Sequence, residues 1–297
     1  MNKSSRLKQL DRALMVPRQP EHAFTLIELL VVLAMVALLA MTLLPALAKT
    51  KYPSLVSSCA ANYRQWVDMA SVYASDDPQG CMPSFNCPGA GGNPTDVATN
   101  FVVLLTPYGM TIPMYFCPAR PLDVDVANQQ FNRGINNLPA QHRYIQSIND
   151  LNLWVWKGRS VNMGYAKLIH LWWVPRETGL PNRGPQQPDG GYLFPWPNWG
   201  SIPTAPVGAV PWPRKISDAT VSQQPIISDY TELVGSTDIN DFAKLVPQAG
   251  QIGFAHFYNG SLQSVNVGFA DGHVDNHPRK DMAWQFTGDN NTFSYFY

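Results

Sequence analysis

Near the C-terminus, His273, Asp275 and His277 occupy alternate positions, so an extended chain would place two imidazoles and a carboxylate on one face. These donor types can bind a divalent metal. Asp271-Gly272, between two apolar runs, predicts a type I′ hairpin turn just before them. Counting outward from that turn pairs Phe269 with Val274 and Val267 with Asn276. Val265, Val267, Phe269 and Val274 then share the core face, and His273, Asp275 and His277 lie across from Ala270, Gly268 and Asn266. A solvated hairpin face, with His273 hydrogen-bonded to a neighbour, accounts for the same residues without a metal. Asp229, Glu232 and His256 have the types of a hydrolytic site, but nothing in their spacing joins them. Gly-x-Ser-x-Gly, phosphate-loop, His-Glu-x-x-His and Cys-x-x-Cys patterns are absent, so no enzyme is expected.

Four cysteines allow three disulfide connectivities. Cys81–Cys87 locally with Cys59–Cys117 at long range is the preferred pairing, because the second bridge would staple a helix to the sheet region. The opposing account is four reduced, buried thiols. Trp154, Trp156, Trp172, Trp173, Trp196, Trp199 and Trp212 are the other conspicuous group. Indole rings held on proline loops suit flat ligands such as sugars, or a protein partner. Trp196, Trp199 and Trp212 are the candidates for such a site, Trp196 and Trp212 being flanked by prolines on both sides. The competing account is that tryptophans cover a small core.

The elements that must position these residues are those of an α+β chain. Val56, Cys59, Tyr63, Trp66, Val67, Ala70 and Tyr73 recur at three- and four-residue intervals, an apolar stripe on a soluble helix over 49–77. Pro45 and Pro53 should bend this helix, and Asp76-Asp77-Pro78 should stop it. Val97 to Tyr108 suggests a short helix, and the Met114–Arg120 stretch a strand entering a Cys-Pro turn. Further strands are expected around 151–156, 161–165, 169–174, 225–229, 253–257 and 264–270. Residues 175–213 hold ten prolines and three tryptophans, so they cannot join a sheet interior and form a long excursion with polyproline character. The body, 78–297, is thus a small antiparallel sheet with long Pro- and Trp-rich loops.

Phe24 to Ala48 is apolar apart from Glu28, and at about 1.5 Å per residue it is long enough to cross a hydrocarbon core of about 30 Å. Residues 1–23 carry five basic and two acidic side chains, against 16 and 19 in the remainder. The positive-inside rule keeps that leader in the cytoplasm and sends the body across the membrane. The overall charge is balanced, which gives no sign of a nucleic-acid partner. An ordinary signal anchor leaves Glu28 unexplained, and a signal peptide cut after Ala48 would have an unusually long apolar region.

The stretch HAFTLIELLVV (22–32) resembles the prepilin-type cleavage and methylation segment of type IV pilins and type II secretion pseudopilins. The resemblance implies cleavage between Ala23 and Phe24, N-methylation of Phe24, and Glu28 as the family's carboxylate at the fifth mature position. It puts Pro45 where pilins carry a helix-kinking proline, and makes the Phe24 amino group of a neighbouring subunit the partner of Glu28. The family has Gly where this chain has Ala23, which implies slower processing. SSCAANYRQW, FCPA, IISD and GFAHFYNGSLQSVNVGFADGHV also resemble pilin-like proteins. The last is similar to a C-terminal processing-associated segment defined by a His, nine residues and Asp-Gly, with fourteen residues here between His256 and Asp271.

The implied fold is a transmembrane and assembly helix over 24–48, continuing into the periplasm and packing on an antiparallel sheet. The implied protein is a single-pass subunit of the bacterial inner membrane, non-enzymatic and a minor or specialised component, in a type II secretion pseudopilus or type IV pilus-like filament. Its partners would be prepilin peptidase, other pilin-like subunits and the secretion assembly platform. Calcium is the ion the analogy suggests for His273, Asp275 and His277. The rival expectation is a membrane-anchored carbohydrate- or protein-binding module that uses the pilin signal for export alone.

Overall fold

The structure, a computed structural model, describes residues 25–83, 93–161, 164–178, 192–194, 212–234, 252–287 and 293–297. It divides into two units, Met1–Lys51 and Tyr52–Tyr297. Helix α1, Leu26–Asp76, begins in the first and supplies the opening element of the second. It runs through Pro45 and Pro53 without interruption.

In the first unit every described side chain from Thr25 to Thr42 is exposed, with Leu26 at 79% and Met41 at 69%. A helix apolar on all faces needs lipid or other apolar chains around it. Among the described residues no helix is long and apolar enough to cross a membrane. The part of α1 whose side chains are described here, Leu26–Thr42, would span only about 26 Å at 1.5 Å per residue.

In the second unit, Cys59, Tyr63, Trp66, Val67 and Ala70 are buried, and Val56 and Tyr73 partly so. This is the stripe expected from the spacing. The helix ends where Asp77 Oδ2 accepts from the backbone N–H groups of Gln79 and Cys81, both at 2.9 Å.

The stripe packs on a five-stranded antiparallel sheet of β1 (His170–Trp172), β2 (Pro225–Asp229), β3 (His256–Tyr258), β4 (Ser261–Phe269) and β5 (Val274–Pro278). The long β4 is its spine. β5 runs along one edge of β4, while the other edge is shared by β3 beside its first half and β2 beside its second. β1 then pairs with β2. Phe293–Phe296 pairs with Glu232–Val234 and Trp284–Thr287 in a separate three-stranded sheet.

The β4–β5 register differs from the expected one by one residue. Gly268 pairs with Val274, and Asn266 with Asn276. The cause is the turn. Gly272 N–H donates to Phe269 O at 3.0 Å, Phe269 N–H to His273 O at 3.0 Å, and of the two turn residues only Gly272, at φ +99°, is left-handed. This is a three-residue loop with a glycine bulge rather than a two-residue type I′ turn. The two-residue turn with positive φ at both positions lies at Asn259-Gly260 (51° and 75°), between β3 and β4.

The slip exchanges the faces of β5. The helix packs on the Asn266, Gly268 and Val274 face; a Cβ added to Gly268 would lie 2.8 Å from Val67 Cγ2. Val265, Val267 and Phe269 instead build a second apolar cluster on the far face with Leu171, Trp173, Trp212, Leu233 and Tyr297.

Three expected strands do not form in the described residues: 151–156 is helical, 114–120 is the end of a short helix followed by a turn, and the described part of 161–165 is irregular. Ile148–Leu153 is an α-helix whose cap is a Ser147/Asp150 box, and a π-helical turn, Trp154–Gly158, continues it. Ile112–Tyr115 is a four-residue helix with Pro113 in its first turn. Leu122–Arg133, between Pro121 and Gly134, is a further helix that the sequence reading passed over. Within the excursion, Arg176–Thr178 and Tyr192–Phe194 pair with each other; most of the remainder lies outside the described residues.

Candidate functional site

In the first unit, Thr25 and Glu28 form a capping box. Thr25 N–H and its hydroxyl donate to Glu28 Oε2 at 2.9 and 2.8 Å, and Glu28 N–H donates back to Thr25 Oγ1 at 3.3 Å. The carboxylate therefore sits at the positive end of the helix dipole, with donors from its own chain. Ala23 and Phe24 lie outside the described residues. Pro45 lies within α1.

In the second unit the polar residues gather under α1, where β2 ends and β3 begins along the edge of β4. At that break Asn266 N–H donates to Asp229 Oδ2 at 2.7 Å. The other carboxylate oxygen accepts from Tyr63 Oη at 2.9 Å and from Arg120 Nη1 at 3.5 Å. Arg120 also donates to Asp123 Oδ2 at 2.9 Å and to the Phe254 carbonyl, and Gly253 N–H donates to Asp123 Oδ2 at 3.0 Å. His256 Nδ1 is 3.5 Å from Asp229 Oδ2, and its Nε2 is 3.5 Å from Cys117 Sγ. His170 Nδ1 lies 3.0 Å from Tyr63 Oη, and its Nε2 donates to the Tyr115 carbonyl at 2.8 Å. Cys59, Tyr63, Cys117, His170, Asp229 and His256 are all buried.

Burial favours the neutral form of Asp229, but His256, Arg120, the Asn266 amide and Tyr63 together hold its carboxyl below the ordinary range. Burial likewise opposes a charge on His256, and Asp229 and Cys117 outweigh it to push His256 upward. His170 goes the other way: burial lowers it to about 4, against the hydrogen bond to Tyr115 O.

Because His170 is depressed from about 6.5, the unfolded chain binds a proton that the folded chain does not between those values. Its contribution is therefore complete above about pH 6.5 and is lost as pH falls towards 4, about 3 kcal/mol in all. His256 is raised and acts in the opposite sense, its contribution fading as pH rises through its folded value. Chemical denaturation from pH 4 to 7 should thus show a flatter dependence for His170→Phe than for the wild type, and an unchanged slope would contradict the assignment.

The sequence-predicted residues divide among several places. His273, Asp275 and His277 face Phe269, Val267 and Val265, the opposite of the expected side. His273 stacks on Phe269 at 4.0 Å, and its Nδ1 is engaged by Asp271 Oδ1 at 2.5 Å. Among the described residues the metal-ligand types whose donor atoms lie within 4.8 Å of one another are a different group, Cys59, Cys117 and His256. Trp212 is buried to 5% exposure, stacked on Trp173 at 5.0 Å and donating to Tyr297 Oη at 3.2 Å, so it is part of the core and not an exposed platform. Trp196 and Trp199 lie outside the described residues. Trp154, Trp172 and Trp173 are fully buried, as the core-covering account has it.

Cys59 and Cys117 do come together, but as free thiols rather than a bridge; Cys81 is free as well, and Cys87 lies outside the described residues. Asp229 and His256 meet, whereas Glu232 pairs with Tyr295 in the other sheet. Tyr63, Arg120, Asp123 and His170 were missed. The signal available for Arg120 and Asp229 was the FCPA and IISD stretches, without any indication that they touch.

Compared with known proteins, residues 18–44 match the family model of the prokaryotic N-terminal methylation motif. The match takes in Ala23, Phe24 and Glu28 and ends one residue before Pro45. No curated protein and no solved structure matches the chain.

Proposed function

We propose, from a chain that carries a prepilin-type methylation signal at 18–44, that it is a non-enzymatic pilin-like or pseudopilin subunit. Prepilin peptidase removes the leader after Ala23, and Phe24 becomes the methylated amino terminus. Residues 24–48 hold the subunit in the bacterial inner membrane, with the leader cytoplasmic and the body periplasmic. The subunit then enters a type II secretion pseudopilus or type IV pilus-like filament, as a minor or specialised component. The observation that carries this reading is the match over Ala23, Phe24 and Glu28. The exposed apolar surface of Leu26–Met41 supports it, since such a surface calls for lipid or neighbouring helices. A tethered glycan-binding module has lost one of its three platform residues, because Trp212 is in the core.

Mass spectrometry of the mature N-terminus tests the reading. N-methyl-Phe24 is expected. A chain starting at Lys49 would mean signal-peptidase cleavage, and an intact Met1 a plain anchor; either outcome removes the filament assignment.

A further inference from the structure

Cys59 on α1, Cys117 after the Ile112–Tyr115 helix and His256 at the start of β3 are distant in sequence. Their ligand atoms nevertheless all lie within 4.8 Å of one another, in the buried interior. His256 Nε2 and Cys117 Sγ are 3.5 Å apart, which suits two donors on one tetrahedral zinc, with bonds of about 2.0 Å to nitrogen and 2.3 Å to sulfur. The other ring nitrogen faces Asp229 Oδ2 and Ser264 Oγ, each at 3.5 Å, so a proton held on Nδ1 leaves Nε2 free to bind. A carboxylate behind a histidine is the arrangement that orients zinc ligands from outside the metal's own coordination sphere. Asp229 is itself fixed by Tyr63 and the Asn266 amide.

We propose that Cys59, Cys117 and His256 bind one zinc ion, with Asp229 as the positioning residue behind His256. Two thiolates cancel the charge of the dication, leaving a neutral cluster suited to burial. Thiolate and imidazole donors select zinc over calcium, which prefers oxygen. Three protein ligands leave a fourth position for a water or an anion. Tyr52 Oη and Arg120 Nη2 are buried without hydrogen-bond partners among the described residues, and both are within electrostatic reach of Cys117. A cavity of about 440 Å³ is lined in part by Tyr52, Asn266 and Ser264, whose hydroxyl lies 3.5 Å from His256 Nδ1.

The test uses the full chain in detergent, reduced, stripped of metal and titrated with zinc against a chromogenic chelator. One zinc per chain is expected. Cobalt in its place should give a thiolate-to-metal charge-transfer band and the intense visible bands of a tetrahedral site. Cys117→Ser and His256→Gln should abolish both signals, and Asp229→Asn should weaken zinc affinity roughly ten- to hundredfold. His273→Gln with His277→Gln should change neither. Since a ligand variant could unfold, zinc protection of Cys59 and Cys117 from alkylation is measured in the unaltered chain as well. Zinc binding without the thiolate band or without cysteine protection would overturn the proposal, as would no binding at all. So would a chain isolated from cells with Cys59 bonded to Cys117.

Discussion

Asp229→Ala should destabilise the body by about 3–5 kcal/mol, the usual cost of removing one partner from a buried ionic cluster. The substitution takes away the acceptor for Tyr63, Arg120 and the Asn266 amide, and the carboxylate facing His256. Tyr63, Asn266 and His256 cannot turn to water, since each is at most 1% exposed. Whole-domain stability is only about 5–15 kcal/mol, so the loss is a large fraction of it. At roughly 2–4 °C per kcal/mol, thermal unfolding should drop by roughly 6–20 °C. Asp229→Asn should lose less, because its amide oxygen still accepts one of the donors. The combined Asp229→Ala and Arg120→Met chain should lose less than the two single changes summed, because the cation stranded by the first change is gone. A fall below about 1 kcal/mol for Asp229→Ala would show that the cluster is not held by its carboxylate.

Glu28→Gln should be processed and inserted normally yet fail to enter filaments. Glu28 has two possible duties, and the structure allows them to be separated. In the isolated subunit it caps α1 together with Thr25. A glutamine preserves that box, and the whole cap is worth only about 1 kcal/mol. On the proposed function, Glu28 also neutralises the amino group of Phe24 on an adjoining subunit. Glutamine cannot do this, and an ammonium left unpaired among apolar helices costs about 2.5–3.5 kcal/mol even on the lenient insertion scale. That exceeds a tenfold loss per subunit, tenfold being about 1.4 kcal/mol. Subunit counts in sheared filaments from cells expressing E28Q and E28L should therefore fall together. Full incorporation of E28Q with failure of E28L would assign Glu28 to capping alone.

What could be seen in advance follows the range of the interactions. The α1 stripe was legible because helical burial repeats within four residues, and β2 because PIISD is short, apolar and flanked by turn residues. The β4–β5 register failed by one position because Asp-Gly suits both a two-residue turn and a three-residue turn with a bulge. Asn259-Gly260, the better type I′ signal, lies at the preceding corner and went unused. LNLWVW reads as a strand by its apolar alternation, whereas the Ser147-x-x-Asp150 box that begins four residues earlier starts a helix. The buried cluster joins residues 63, 120, 170, 229, 256 and 266. No local pattern reports such contacts, and each of these residue types is ordinary in its own neighbourhood. The slip in register had a second effect, moving His273, Asp275 and His277 away from the face on which His256 and the cysteines meet.

The seam between α1 and the sheet also has a mechanical consequence. A subunit drawn along the axis of a filament would be loaded through α1, so the contact between helix and sheet would be strained in shear. Apolar packing resists separation well but sliding poorly, since a displaced side chain finds an equivalent neighbour one turn away. Directional bonds have no equivalent at the next turn. Tyr63 to Asp229, and Asn266 to the Val56 carbonyl at 3.3 Å, cross this seam and act as dowels that fix the helix lengthwise. Gly268, pressed against Val67, adds a notch to the same joint.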